Sequence, residues 1–111
     1  MKVKEFTFER EEGNIEVELY LNGASVKYIE KALKEIDPKY NFYRCLNLIQ
    51  YGELSLLLIY LGGIIHLKGK KHPVGADWFD EQNIFIFNYL DELSKELYDV
   101  MTDNKPTNQG K

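Results

Sequence analysis

Apolar and polar side chains alternate along the first part of the chain and then recur every three or four positions, a change of period that separates strands from helices. Val3 to Arg10 is rich in β-formers, with Phe6 and Phe8 on one face. Ile15, Val17, Leu19 and Leu21 alternate with Glu16, Glu18, Tyr20 and Asn22, the pattern of a strand buried on one side only. Between them, Glu11-Glu12-Gly13-Asn14 supplies the Gly and Asn that tolerate the positive φ of a tight turn. These two segments predict a β-hairpin.

Asn22-Gly23-Ala24-Ser25 breaks the second strand, and Ser25 is a suitable cap for the next element. Val26, Ile29, Leu33 and Ile36 then recur at helical steps, with Lys27, Glu30, Lys31, Lys34 and Glu35 on the other positions. Glu30 and Lys34 form a favourably oriented i,i+4 pair. Pro38 ends this helix, because proline disfavours helical geometry at Asp37. Asp37-Pro38 also suits the start of a second helix, with Asp as N-cap and Pro at the first helical position. Its buried side would be Phe42, Cys45 or Leu46, and Ile49, closed by Gly52, although Phe42 to Ile49 also suits an extended segment.

Leu54 to Leu61 and Ile64 to Lys68 are apolar runs separated by Gly62-Gly63, which predicts a second hairpin; leucine richness makes a buried helix over Leu54 to Leu61 the competing assignment. A loop bounded by glycine and proline comes next, Gly69 to Gly75. Beyond it, Ile86, Leu90, Leu93, Leu97, Val100 and Met101 recur at helical spacing, so a long C-terminal helix is expected, capped by Asp77 or Asp80. Within it, Ile84-Phe85-Ile86-Phe87 suits a strand equally well. The sum is an α+β domain over residues 1–103, ββααββα, a small antiparallel sheet of two hairpins with helices on one face, and a flexible polar tail over 104–111.

Composition narrows the class of protein. A chain of 111 residues, 44% hydrophobic and 29% charged, is long enough for one core and far from the composition of a disordered segment. Cys45 is alone, which excludes an internal disulfide and a thiolate metal site and favours a reducing compartment. Met1 to Glu5 alternates charge where a secretory signal would turn apolar, and the run Leu54 to Ile65 is too short to span a bilayer. A cytoplasmic, non-membrane protein is expected.

Charge is unevenly placed. From Asp77 to Asp103 eight acids face one base, Lys95, a net charge of −7 in a chain whose total is −4. A helix with a buried stripe and an anionic exterior suits a cationic protein partner and repels nucleic acid and anionic lipid. Acids near the start of such a helix suit its dipole, but Asp99 and Asp103 fall at the negative end, so the dipole alone does not explain them. The residues expected to bind are Tyr89, Glu92, Glu96, Tyr98 and Asp99, with Glu16, Glu18 and Tyr20 as a second patch. Tyrosine supplies apolar area with a polar tip at low entropic cost, and the chain holds eight of them, Tyr40, Tyr43 and Tyr51 on or near the second helix.

Catalytic chemistry has little support. Lys68, Lys70, Lys71 and His72 lie within five residues and, with His66, form the alternative site, one for an anionic small molecule in a self-associating domain or enzyme. The GxxxxGK[ST] phosphate loop is absent, as is any arginine for bidentate recognition there. His66, between Ile65 and Leu67, is expected on a solvent-facing or partly covered sheet face, Cys45 as a buried inert thiol. Six-residue spacing between the histidines, with Asp77 beyond, matches no structural zinc pattern, so neither metal nor cofactor is expected. The reading favoured is a non-enzymatic module that blocks a basic surface of a nuclease or other nucleic-acid effector, in the manner of immunity proteins, antitoxins or phage-encoded inhibitors. That is an analogy of composition, and a homodimer is compatible with it.

Overall fold

A computed structural model describes residues 3–49 and 53–103. The first hairpin forms as the alternation requires. β1 (Lys4–Phe8) and β2 (Ile15–Leu19) pair antiparallel, with Phe6 opposite Val17 and Phe8 opposite Ile15. Gly13 closes the turn at φ +120°, its N–H donating to the Arg10 carbonyl. Phe6, Phe8, Val17 and Leu19 are buried on the inner face.

α1 (Gly23–Ile36) starts three residues earlier than a cap at Ser25 would set it. Asn22 is the N-cap, and its side chain accepts the Ser25 N–H at 2.8 Å while Ser25 Oγ accepts the Asn22 N–H at 3.1 Å, a reciprocal capping box. Glu30 and Lys34 pair at 3.6 Å. Asp37-Pro38 ends α1 but does not open α2 (Phe42–Ile49), which Asn41 caps by accepting the Arg44 N–H at 2.9 Å. Glu30 Oε1 also accepts the Phe42 N–H, so a residue of α1 satisfies the free amide at the start of α2. Gly52 as the closing residue of α2 lies outside the described residues, as do Tyr51 and the tail 104–111.

The second hairpin does not exist. Leu54–Ile64 is a helix, α3, continuing directly into β3 (Ile65–Leu67), which pairs antiparallel with β2. The sheet therefore has three strands in the order β1-β2-β3, and the class is α+β with helices against one face. Two physical reasons decide for helix. Leucine is a strong helix former and Ile59 is the only β-branched residue in Leu54 to Leu61. The helix is also buried almost all round, every residue from Ile59 to Ile64 being inside, so no amphipathic period marks it. Gly62 and Gly63 serve close packing: a Cβ on Gly62 would fall 2.3 Å from the Gly75 carbonyl carbon, and one on Gly63 2.4 Å from Ile29 Cγ1.

The long C-terminal helix is two pieces. α4 (Trp78–Glu81) is a single turn, residues 82–85 turn the chain, a 3-10 turn covers Ile86–Asn88, and α5 runs Leu90–Asp103. Asp77 precedes α4 and makes no side-chain cap. Asn83 stops α4 at φ +56°, with Asn83 N–H donating to the Asp80 carbonyl and Ile84 N–H to that of Phe79. This is a Schellman stop with asparagine in the left-handed position usually held by glycine. Phe8 sits at the centre of the aromatic core, 5.0 Å from the Tyr89 ring, 5.6 Å from Trp78 and 6.1 Å from Phe79. That cluster holds α4 and the start of α5 against β1.

Candidate functional site

α5 lies between two different neighbours, and its exposed residues divide accordingly. Toward the sheet, Lys4 Nζ of β1 reaches Glu96 Oε1 at 2.5 Å and Asp99 Oδ2 at 3.1 Å. Hydrogen bonding to Glu96, then to Asp99, raises the Lys4 pKa above the usual lysine value. Two of the expected carboxylates are thus partly neutralised by a residue the charge count placed elsewhere. Asp91 and Glu92 are exposed in the first turn. Toward α2 and α3, Tyr98 lines an apolar groove of about 420 Å³ with Leu46, Ile49, Leu57, Leu97 and Met101. Tyr98 is 71% exposed but sits on the flank away from Glu96 and Asp99. Tyr89 is half-buried, its hydroxyl accepting the Glu9 N–H at 2.9 Å and lying 3.2 Å from the Glu9 carbonyl. It acts as a strut between α5 and the end of β1.

Of the second patch, Glu16 is exposed and Glu18 partly so, while Tyr20 is turned to internal use. Tyr20 is buried, its ring stacked on His66 and its hydroxyl donating to the Lys70 carbonyl at 3.0 Å. Glu18 accepts the Gly69 N–H at 3.2 Å, and Glu16 lies 3.5 Å from Lys68 Nζ. These residues hold the loop after β3 in place over the sheet's outer face.

The same contacts describe the anion-binding alternative. Lys70, Lys71 and His72 are exposed and Lys68 is paired with Glu16, while His66 is 0% exposed and does not join them at the surface. Glu18 holds the Gly69 N–H and Glu16 faces Lys68, so Lys70, Lys71 and His72 are the exposed basic residues of the loop. His66 Nε2 lies 3.2 Å from both the Tyr20 carbonyl and Ser25 Oγ. A carbonyl can only accept, so Nε2 carries the proton. The Ser25 hydroxyl in turn donates to Asn22 Oδ1 at 2.9 Å. Imidazole therefore acts as donor toward the serine, the reverse of what activates a nucleophile. Burial lowers the His66 pKa, opposed by hydrogen bonding to the backbone of Tyr20 and His72, and Nδ1 makes no hydrogen bond of normal geometry. Cys45 is buried and its thiol pKa is raised by that burial, the state of an unreactive core cysteine. Among the described residues, no group of three His, Cys, Asp or Glu is placed to hold a metal, and no helix is long and apolar enough to cross a membrane.

Sequence pattern alone did not find one surface feature. Ile84 and Ile86 point inward and are buried, while Phe85 and Phe87 stand 64% and 57% exposed with their rings 5.4 Å apart. The alternation was visible in the residues, but both members of each pair are hydrophobic, so it carried no polarity contrast. No family model matches the chain, and neither a curated protein nor a solved structure matches it. Function is therefore read from this surface.

Proposed function

We propose that the protein is a non-enzymatic binding module that covers a basic surface of a protein partner. The observation that carries this reading is the charge on α5, which holds Asp91, Glu92, Glu96, Asp99 and Asp103 against Lys95 alone, with no basic residue in its last turn. Acids at the C-terminal end of a helix oppose its dipole by a few tenths of a kcal/mol each, ~0.3 or more. For Asp99 the pair with Lys4 offsets part of that cost, and the charge left exposed on the helix is that of Asp91 and Glu92 in its first turn. Fields of this kind raise association rates with oppositely charged surfaces. A nuclease or other nucleic-acid effector presents such a surface in its phosphate groove, so inhibition by occlusion, as by an immunity protein or antitoxin, is the activity proposed. A reducing, cytoplasmic setting is proposed on the lone thiol Cys45, and association into a homodimer is compatible with the reading.

Capture on the immobilised protein from a lysate of the source cells, in low and in high salt, identifies the partner. Association rates are then measured for the wild type and for the double variant Glu92→Lys, Asp99→Lys. The expected result is a slower, less salt-sensitive association with the fold kept, the melting temperature falling modestly because Asp99→Lys removes the pair with Lys4. An unchanged association rate rejects the reading.

A further inference from the structure

Phe85 and Phe87 are an exposed aromatic pair on a segment that is held from both sides. Asn83 fixes the turn before them. The hairpin reaches across to it: Arg10 Nη1 donates to the Gln82 carbonyl at 2.8 Å, and Asn83 Nδ2 donates to Glu12 Oε2 at 3.1 Å. After the pair, Asn88 N–H donates to the Phe85 carbonyl at 3.0 Å, and Tyr89 is tied to Glu9. Ile84 and Ile86 occupy the inward positions, so neither phenylalanine has a vacant place in the core to turn into. Two touching rings in water on a pre-ordered backbone are costly to the free protein and cheap to bind with, because little freedom is left to lose.

The chemistry around them is one-sided. Asp80 and Glu81 precede the pair, Asp91 and Glu92 come after it, and Glu11 and Glu12 stand on the adjoining turn, all exposed. The cation beside them, Arg10, directs its guanidinium to the carbonyls of Gly13 and Gln82. An apolar tip whose exposed neighbours along the chain and on the adjoining turn are carboxylates is complementary to an apolar pocket rimmed by lysine or arginine. It repels nucleic acid, an anionic bilayer and a second copy of itself.

We infer that Phe85 and Phe87 are the anchor by which the protein seats on its partner, inserted into an apolar pocket with a cationic rim. The inference rests on the binding-module reading and assigns the two parts of the surface separate tasks. Carboxylates of α5 steer the encounter, and the aromatic pair sets how long the complex lasts.

A synthetic amphipathic helix of leucine and lysine serves as the probe, with a leucine–glutamate helix as its control. Amide shifts of the ¹⁵N-labelled protein locate the contact. The expected result is that the cationic peptide moves amides from Ile84 to Glu92, the anionic peptide moves none, and the double variant Phe85→Ser, Phe87→Ser weakens binding by about tenfold or more with its spectrum dispersed. Either single serine variant replaces the double one if that fails to fold. Shifts centred on the groove lined by Leu46, Leu57 and Tyr98, no binding at all, or full affinity in the serine variants overturns the inference. If the serine variants bind normally while Glu92→Lys, Asp99→Lys does not, the anchor fails and the steering reading stands; if both bind normally, both fail. Self-association of the wild type that the serine variants abolish assigns the pair to a dimer contact and also overturns it.

Discussion

The ring of Tyr20 lies flat on the imidazole of His66, ring centres 3.9 Å apart and planes 14° from parallel. This stack covers the outer face of the sheet where β2 and β3 meet, and the burial disfavours the charged imidazole. Tyr20 is held over it by its hydroxyl bond to Lys70, and His66 is held by the Tyr20 carbonyl and the Ser25 hydroxyl.

Stability should therefore depend on pH through His66. Its pKa in the folded protein is depressed below the ordinary value of 6.5. Between those two values the unfolded chain binds a proton that the folded one does not, so stability rises with pH across that window and falls as pH drops through it. Above about 6.5 the contribution is constant. Urea midpoints at neutral and mildly acid pH should show a loss of up to about 1.4 kcal/mol per pH unit. His66→Gln should lose this slope. A slope that persists in the variant assigns the effect to other groups.

Gly62 and Gly23 predict opposite outcomes for one substitution. A Cβ at Gly62 meets backbone of the 75–76 segment at 2.3 to 2.7 Å, and backbone cannot rotate away. Gly62→Ala should cost about 1–3 kcal/mol or more. At Gly23 a Cβ meets nothing within 4 Å, and the residue lies in the first turn of α1. Gly23→Ala should stabilise by about 0.5 kcal/mol. Chemical denaturation of the two variants beside the wild type checks both signs at once.

Asn83 holds the aromatic pair in position through its backbone conformation. Valine there would force a branched side chain into the left-handed region, and Asn83→Val should cost about 1–3 kcal/mol. Asn83→Gly keeps the conformation and loses only the bond to Glu12, so it should stay within about 0.5 kcal/mol of the wild type. Thermal melts decide. Equal losses for both variants would mean that the side chain, not its φ, holds the turn.

The proposed binding surface was partly legible. Asp91 and Glu92 project from α5 as the acidic run implied, and Tyr98 is exposed. Pairing of Glu96 and Asp99 with Lys4 was not legible, because it joins residues at opposite ends of the chain. Tyr20 and His66 alternate as outward-facing residues should, and they do lie on the outer face. The loop after β3 folds back over that face and buries them, a contact across 50 residues for Tyr20 and Lys70.

The sequence by itself determined whatever depends on neighbours along the chain. The β1–β2 hairpin comes from period-two alternation and a Gly-Asn turn, α1 from its apolar stripe, and its end from Pro38. Tertiary structure decided where local pattern is silent. α3 is buried on nearly every side, so its residues show no period by which to tell helix from strand, and its glycines are explained only by Gly75 and Ile29 pressing against them. The C-terminal segment breaks at Asn83 because α4 must place Trp78 and Phe79 on Phe8 while α5 runs along β1 and α3, and no single straight helix can do both. Periodicity reports which side of an element is greasy. What that side meets, and which residues are left outside, is set by packing between segments distant in sequence.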